Sequence, residues 1–221
     1  MLEANQIICG DCLEVMKDWP DKCVDLVLTD PPYGLGDRLS DGGGKLKNSP
    51  FRVLYRKSKW DDIKPQNEAF DEIFRISSNQ IICGGNYFGL PPTRGFVCWD
   101  KQQHLTTLSA VEYIWTSFDC PAKIFVGSSM NLNRQHPTQK PVNLIKWLIN
   151  KFSKPTDLIL DCYCGSGTAC VAAKMLGRRY IGIDISEEYC EIARQRIRAV
   201  ETGVPVKEQN KGQMALFNGK K

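Results

Sequence analysis

The sequence has 221 residues, of which 42% are hydrophobic and 24% are charged, a composition that suits one globular domain with a core of its own. Its formal net charge of +4 permits nucleic-acid binding but does not by itself indicate it. The start has no signal-peptide pattern and no apolar run approaches the roughly 18 residues of a membrane span, so we expect a cytoplasmic protein of a bacterial or phage-infected cell.

Apolar runs alternate along the chain with segments of helical periodicity. Strands separated by helices predict an α/β fold of the Rossmann-like kind, with a mostly parallel sheet and helices on both faces. The predicted elements, in chain order, are strand Gln6–Cys9, helix Cys12–Trp19, strand Val24–Thr29, helix Glu68–Ile76, strand Gln80–Cys83, strands Phe96–Trp99 and Val111–Trp115 as a candidate hairpin, helix Val142–Phe152, strand Leu158–Asp161, helix Thr168–Leu176, strand Tyr180–Asp184 and helix Glu187–Val200.

The most specific motif follows the buried strand Val24–Thr29, where Asp30 is succeeded by Pro31, Pro32 and Tyr33. The prolines fix φ and lack N–H donors, so the nearby carbonyls point in set directions. Asp30 and the Pro31 carbonyl can accept both hydrogens of an amino group, and Tyr33 offers a ring on which a planar base can stack. Such acceptors make a ring-conjugated amine a better nucleophile. We therefore predict these four residues as catalytic, with a purely structural proline-capped strand end as the alternative.

A second motif is the glycine-containing turn between a strand ending at Asp161 and a helix beginning at Thr168. Gly165 and Gly167 permit a tight turn, and the helix start offers unpaired N–H groups. About twenty residues on, Asp184 ends the next strand, where a carboxylate suits ribose hydroxyls. A nicotinamide dehydrogenase would look similar, but the spacing is not G-x-G-x-x-G, and Asp161 suits an ammonium better than a pyrophosphate. A turn that binds nothing is the other alternative.

Together the two motifs resemble the amino-methyltransferases of DNA, in the permuted beta group, where the D-P-P-Y turn precedes the glycine turn. The resemblance covers nearly the whole chain, and the stretches Gly84–Phe88 and Trp99–Lys101 look like those of phage-borne and prophage-borne members. It implies a seven-stranded S-adenosylmethionine-dependent methyltransferase fold with permuted order, in a restriction-modification or phage setting. It also implies transfer to adenine N6, since enzymes that act on cytosine N4 more often have serine in place of Asp30.

By this resemblance, Gly10-Asp11-Cys12 contacts the cofactor's adenine, and the segment His136–Pro141 lines its methionine end. No metal is expected, and a zinc site made from the pairs Cys9/Cys12 and Cys162/Cys164 is the weak alternative, because neither pair lies in a zinc knuckle. The predicted contacts to S-adenosylmethionine are Asp11, Cys12, Asp30, Thr138, Lys140, Asp161, Tyr163, Gly165, Ser166, Gly167, Thr168 and Asp184.

The segment Asp37–Lys59 is glycine-rich and has seven basic residues against two acidic ones. Since it follows Tyr33, it lies where a flipped base would enter, and its cations would contact phosphates of double-stranded DNA. A solvated insertion without a DNA contact is the alternative. The predicted DNA contacts are Arg38, Lys45, Lys47, Arg52, Arg56, Lys57 and Lys59.

We expect one catalytic domain over residues 1–201, in which 37–59 is a mobile DNA-contacting loop, and a flexible tail over 202–221. The tail residues Gln213, Leu216 and Phe217 resemble the short peptides that dock on the replication sliding clamp. Apart from 37–59 and 102–133, little of the chain is left for reading sequence. This predicts a short recognition site or a weak preference, with a second subunit, as in a homodimer, as a further source of contacts.

Other classes remain open. A catalytically silent DNA-binding relative would show damage to one of the two motifs, and both are intact. Methyltransferases of RNA or of protein glutamine tend to have asparagine in place of Asp30. A cytosine carbon-5 enzyme needs a cysteine nucleophile that usually follows a proline, and the sequence has no Pro-Cys pair. Glu112 is a charge within an apolar strand, and the pattern does not separate a structural pairing from a place in the site.

Overall fold

The computed structural model describes residues 2–35, 64–103, 109–128 and 139–206. Within these ranges no helix is both long and apolar enough to cross a membrane. Several predicted residues lie outside the described ranges, namely the DNA contacts Arg38, Lys45, Lys47, Arg52, Arg56, Lys57 and Lys59, the cofactor contact Thr138, and the tail residues Gln213, Leu216 and Phe217.

Strands and helices alternate through most of the described chain, as the sequence predicts. The elements are β1 (Gln6–Cys9), α1 (Cys12–Met16), β2 (Val24–Thr29), α2 (Asn67–Ile76), β3 (Ser77–Cys83), a 3-10 turn (Gly85–Tyr87), β4 (Phe96–Asp100), β5 (Val111–Thr116), β6 (Lys123–Val126), α3 (Val142–Phe152), β7 (Leu158–Asp161), α4 (Thr168–Met175), β8 (Arg179–Asp184) and α5 (Glu187–Thr202).

The strands form one sheet in the order β1-β8-β7-β2-β3-β5-β4-β6. Among the described strands only β5 runs antiparallel to its neighbours, and it pairs with β4 as the predicted hairpin does. The mostly parallel α/β architecture is therefore confirmed. The described residues form eight strands where the family resemblance implied seven.

The eighth strand is β6, which the sequence analysis did not identify. Its four residues have an alternating burial pattern, and the strand lies at the sheet edge, parallel to β4. Four residues give little periodic signal. Strand β3 also begins earlier than predicted, because Ser77 and Asn79 pair with β2 despite the low strand propensity of serine and asparagine.

Helices cover both faces of the sheet, so the protein has three layers. On one face, α3, α4 and α5 pack over inward residues such as Leu28, Ile81 and Ile159. On the other face, α1 and α2 pack over residues such as Val27 and Ile82. The central strands are buried on both sides, which is why their sequences are nearly continuous apolar runs. This arrangement leaves the carboxyl ends of the strands as the place for a site.

Candidate functional site

Four carboxylates meet at the carboxyl edge of the sheet because the strands before them are parallel. Asp30 follows β2, β7 ends at Asp161, β8 ends at Asp184, and Asp11 lies two residues after β1. The register places Cys9 of β1 beside Asp184. All four carboxylates border a cleft of about 600 Å³, which is within the size range of small-molecule sites.

The glycine turn forms one wall of this cleft. Gly165 has a φ of +49°, and its N–H donates to Asp184 Oδ2 at 2.7 Å. Gly167 has a φ of +77° and faces away from the cleft, since a Cβ there would lie 2.6 Å from Cβ of Ala193 on α5. Gly165 therefore shapes the wall, whereas Gly167, a predicted cofactor contact, allows α4 and α5 to pack closely and is not among the residues lining the cleft.

Arg196 on α5 fixes the same turn from behind. Its Nη1 donates to the Ser166 carbonyl at 2.5 Å, to Ser166 Oγ at 2.9 Å and to Thr168 Oγ1 at 3.3 Å. Burial lowers the pKa of Arg196 to about 10. The sequence analysis missed this residue because an arginine on the polar face of an amphipathic helix is normally a solvated charge.

Asp161 is the most deeply buried carboxylate of the cleft, with 6% of its surface exposed. Its Oδ1 accepts from Thr29 Oγ1 at 2.7 Å and from the Tyr163 N–H at 3.2 Å. Burial raises the pKa of Asp161 to about 7, against the effect of those two donors. A cationic group in the cleft would restore its charge, because an opposite charge favours the ionised form.

Two of the predicted contacts also have structural roles. Asp11 caps α1, since its Oδ1 accepts from the N–H groups of Leu13 at 2.9 Å and Glu14 at 3.3 Å. Asp184 accepts from Gly165 through one oxygen and from the Ser186 N–H, at 2.9 Å, through the other. These bonds orient both carboxylates at the cleft.

The Asp30–Tyr33 turn contributes Asp30 and Pro32 to the lining of the cleft and is held by a lysine. Asp30 Oδ1 accepts from Tyr33 Oη at 2.7 Å, and Asp30 Oδ2 accepts from Lys140 Nζ at 2.6 Å. Lys140 Nζ also lies 3.2 Å from Tyr33 Oη. The predicted residues Asp30, Tyr33 and Lys140 are thus brought together. The Lys140 ammonium therefore contacts Asp30, the predicted acceptor of the turn.

Glu112 extends this contact into a chain of alternating charges. Its Oε1 lies 3.1 Å from Lys140 Nζ, and its Oε2 lies 2.9 Å from Lys101 Nζ. Burial alone would raise the pKa of Glu112, but the two ammonium groups hold it below its usual value. Burial opposes the charge of Lys140 as well, yet Asp30 and Glu112 raise its pKa. Glu112 is therefore an ionised member of the site.

The ring of Tyr33 packs against aromatic residues that follow β3. Tyr87 stacks on it with ring centroids 4.6 Å apart, and Phe88 contacts it edge-on at 6.1 Å. Gly84 lies against the same ring, because a Cβ at Gly84 would be 2.4 Å from Tyr33 Cε1. Tyr87 thus stacks on the ring that the sequence analysis predicts as the platform for the base.

This packing predicts a large effect for Gly84→Ala. Gly84 has a φ of +63°, which disfavours alanine, and the added methyl group must displace the Tyr33 ring. We expect at least about a tenfold loss of activity at this site, together with a fold destabilised by about 1–2 kcal/mol. Gly89→Ala is the matched control, since a Cβ there meets nothing within 4 Å. Equal activity and melting temperature for the two variants would contradict the role of Gly84.

Most predicted cofactor contacts in the described chain line the cleft. The lining set includes Asp11, Cys12, Asp30, Lys140, Asp161, Tyr163, Gly165, Ser166, Thr168 and Asp184. It also includes Gln139, which belongs to the predicted segment His136–Pro141, and three residues that the sequence analysis missed, namely Ile185, Ser186 and Tyr189. Of the catalytic turn, Pro32 lines the cleft and Pro31 is buried.

The four cysteines considered for a zinc site are not grouped together in the described part of the chain. All ten lie in the described ranges and are free thiols. Cys12, Cys162 and Cys164 are buried. In the described part of the chain, the side chains grouped closely enough for a metal are Cys9, Glu187 and Cys190, and separately Asp30, Cys83 and Glu112. Glu187 is already paired with Arg194, at 2.6 Å, and Lys140 already contacts the second group.

Known proteins resemble this chain in sequence and in fold. A family model described as DNA methylase, N6_N4_Mtase, matches residues 95–195. YubD of Escherichia coli strain K12, named as a methylase, is 31% identical over 89% of this chain and 92% of its own length. The type II methyltransferase M.HinfI of Haemophilus influenzae is 26% identical over 89% of this chain and 69% of its own.

Solved structures have the same fold. TTHA0409 from Thermus thermophilus, named as a DNA modification methylase and complexed with S-adenosyl-L-methionine, superposes with a TM-score of 0.58 at 19% identity, over 89% of this chain and 95% of that chain. The PvuII DNA methyltransferase, specific for cytosine N4, gives a TM-score of 0.61 at 16% identity, over 100% of this chain and 95% of that chain.

Proposed function

The chain belongs to the N6/N4 DNA methylase family, and from this premise we propose that it transfers a methyl group from S-adenosylmethionine to the N6 amine of adenine in DNA. The family membership makes it a DNA methyltransferase that depends on S-adenosylmethionine. The choice of adenine is the finer part of the proposal. It rests on Asp30, where enzymes acting on cytosine N4 more often have serine.

One observation carries the proposal. Asp30 and Pro32 of the proline turn line the same cleft of about 600 Å³ as Gly165 of the glycine turn, so an amine acceptor and a nucleoside-type site would share one space. The contact of Lys140 Nζ with Asp30, at 2.6 Å, supports the role of this carboxylate as an acceptor for an N–H donor. A methyl donor and an amine held in the same cleft are positioned for direct transfer.

The residues of the cleft fit S-adenosylmethionine. Asp161 is a buried carboxylate whose charge an amino acid's ammonium would compensate. Asp184 lies at the end of β8, where it suits ribose hydroxyls, and Ile185 beside it is an exposed apolar side chain suited to an adenine ring. When bound, the cofactor supplies a methyl group on a positively charged sulfur, which is a good leaving group.

The chain's own residues then act on the target amine. Asp30 and the Pro31 carbonyl accept its two hydrogens, which localises the lone pair on nitrogen and aims it at the methyl group. Tyr33 stacks on the base that has been turned out of the duplex. Asp30 is also placed to receive the proton that the methylated nitrogen loses. Positioning and electrostatics supply the acceleration, and no covalent bond to the protein is needed.

The test combines labelling with mapping. The protein is incubated with labelled S-adenosylmethionine and unmethylated genomic DNA, and modified bases are then located by single-molecule sequencing. We expect N6-methyladenine at a short recognition sequence. If modified cytosine is found, the target is cytosine N4 and the proposal of adenine N6 is wrong. Failure to incorporate label, in protein that is folded and binds the cofactor, would favour a silent DNA-binding relative.

The basic segment 37–59 is proposed to contact DNA phosphates. Replacing Arg52, Arg56, Lys57 and Lys59 with glutamine should reduce the slope of log affinity against log salt by about 0.9 for each phosphate that the protein no longer neutralises. The control replaces Lys151, near the end of α3, and Lys154, which follows that helix before β7; both are exposed cations. Fluorescence anisotropy of labelled DNA across a salt series measures the slope for both variants. A slope unchanged in the fourfold variant removes the segment from the DNA interface.

A further inference from the structure

Both oxygens of Asp30, the acceptor for the target amine, are already engaged by the protein. Oδ1 accepts from Tyr33 Oη, and Oδ2 accepts from Lys140 Nζ at 2.6 Å. Lys140 is 7% exposed, and its ammonium has three acceptors nearby, in Asp30, Tyr33 and Glu112. An amine of a base that binds to Asp30 must therefore displace this ammonium or share its oxygen.

A displaced ammonium needs another carboxylate, since an unpaired buried cation is costly. Glu112 Oε1 already lies 3.1 Å from Lys140 Nζ, so a small side-chain movement can transfer the lysine from one carboxylate to the other. The other oxygen of Glu112 is held by Lys101 at 2.9 Å, and this contact keeps the carboxylate in place on β5. If Lys140 served only to form a permanent ion pair with Asp30, Glu112 would not be needed as a second carboxylate.

We propose that Lys140 occupies the position on Asp30 that the amine of the target base takes during the reaction. Glu112 is then the positioning residue that pairs with Lys140 when the base binds. This inference rests on the proposed function. Burial raises the pKa of Asp30, and the Lys140 ammonium opposes this by favouring the ionised carboxylate, which also accepts from Tyr33. When the base enters, its amine takes the place of Lys140 on Asp30, and Lys140 remains paired with Glu112. The two ammonium groups, of Lys101 and Lys140, and the two carboxylates, of Glu112 and Asp30, keep their charges throughout this exchange.

Pairs of variants separate this role from a structural one. Glu112→Gln keeps the side-chain shape but removes the receiving charge, so Lys140 stays on Asp30 and competes with the base. We expect single-turnover methyl transfer to slow by about ten- to a hundredfold, as for the loss of one hydrogen bond to a charged group, with cofactor affinity nearly unchanged. The double variant Glu112→Gln/Lys140→Met removes the competitor as well and keeps the net charge. It should be faster than Glu112→Gln alone when the two are compared at alkaline pH, because burial raises the pKa of Asp30 and the double variant lacks the ammonium that opposes this.

The control for loss of a half-buried ion pair is Glu72→Gln, which breaks the pair with Arg75 on α2. We expect its transfer rate to equal that of the unaltered protein. The inference is overturned if Glu112→Gln transfers at the unaltered rate, or if the double variant is slower than Glu112→Gln. If the double variant does not bind cofactor, the transfer rate of Glu112→Gln by itself tests the inference.

A readout that does not depend on catalysis is the ¹⁵N resonance of the Lys140 ammonium, whose protons exchange slowly because it is buried. We expect this resonance to shift when DNA and cofactor are added, and to stay unshifted in Glu112→Gln. A shift without methyl transfer would support the inference while contradicting the proposed function. Transfer without a shift would overturn the inference and leave the proposed function intact.

Discussion

Replacing Asp30 with alanine is expected to slow methyl transfer by about a hundred- to a thousandfold, the usual effect of removing one preorganised hydrogen-bonding group from an active site. In the proposed mechanism this carboxylate accepts from the target amine, and in the structure it also accepts from Tyr33 Oη through Oδ1. Cofactor affinity should change little, because Asp161 and Asp184 lie on other strands and remain in place.

The measurement is single-turnover transfer on a DNA fragment with the mapped site, alongside cofactor titration by calorimetry. Asp30→Asn serves as the matched variant, since its carbonyl oxygen keeps one neutral acceptor of the same shape. Its activity should fall between that of the unaltered protein and that of Asp30→Ala. Full activity in Asp30→Ala would contradict the mechanism, and a parallel loss of cofactor binding would instead indicate a collapsed cleft.

Cofactor affinity is expected to decrease as the pH falls through about 7. Burial raises the pKa of Asp161 to about 7, and only the ionised carboxylate can pair with the cofactor's ammonium. Below that pH, binding must first remove a proton, which costs about tenfold in affinity per pH unit. Above it, affinity should stay level until the α-ammonium of the cofactor itself loses its proton, near about pH 8.

Calorimetric titration of S-adenosylmethionine between about pH 5.5 and about pH 8.5 measures this dependence. Asp161→Asn removes the titrating group, and we expect its affinity to be at least about tenfold weaker at neutral pH and independent of pH. An Asp161→Asn protein with the affinity and pH profile of the unaltered chain would show that Asp161 does not bind the ammonium.

The same pKa shift affects the stability of the cofactor-free protein in the opposite direction. The folded state binds the Asp161 proton more tightly than the unfolded state does, because the pKa of this carboxyl is near 3.8 when it is unperturbed. The free energy of unfolding therefore falls, for this group, as the pH rises from about 4 to about 7, and it is constant above that range. Urea unfolding with and without Asp161→Asn would detect the difference.

Much of the candidate site was predictable because it lies where parallel strands end. The strand before Asp30, the strand ending at Asp161 and the strand ending at Asp184 are each visible as short apolar runs. Parallel strands in one sheet bring their carboxyl ends to one edge, so the convergence of these carboxylates follows from element order alone. The glycine turn was predictable for the same reason, since its special backbone angles require glycine locally.

Other parts of the site depend on contacts between distant segments. Lys140 meets Asp30 from 110 positions away, and Tyr33 reaches Glu112 from 79 positions away. Which carboxylate pairs with which lysine depends on the packing of β5 beside β3 and of the segment before α3 over β2, and no local pattern encodes that packing. The role of Gly167 in helix packing and that of Arg196 behind the glycine turn have the same origin.

The sequence by itself determined the α/β class and the family, because each depends on local backbone chemistry and on the order of elements. The tertiary structure alone decided that Lys140 pairs with both Asp30 and Glu112. The physical reason is that ion pairing requires charged groups within about 4 Å, and only the folded chain brings these residues together.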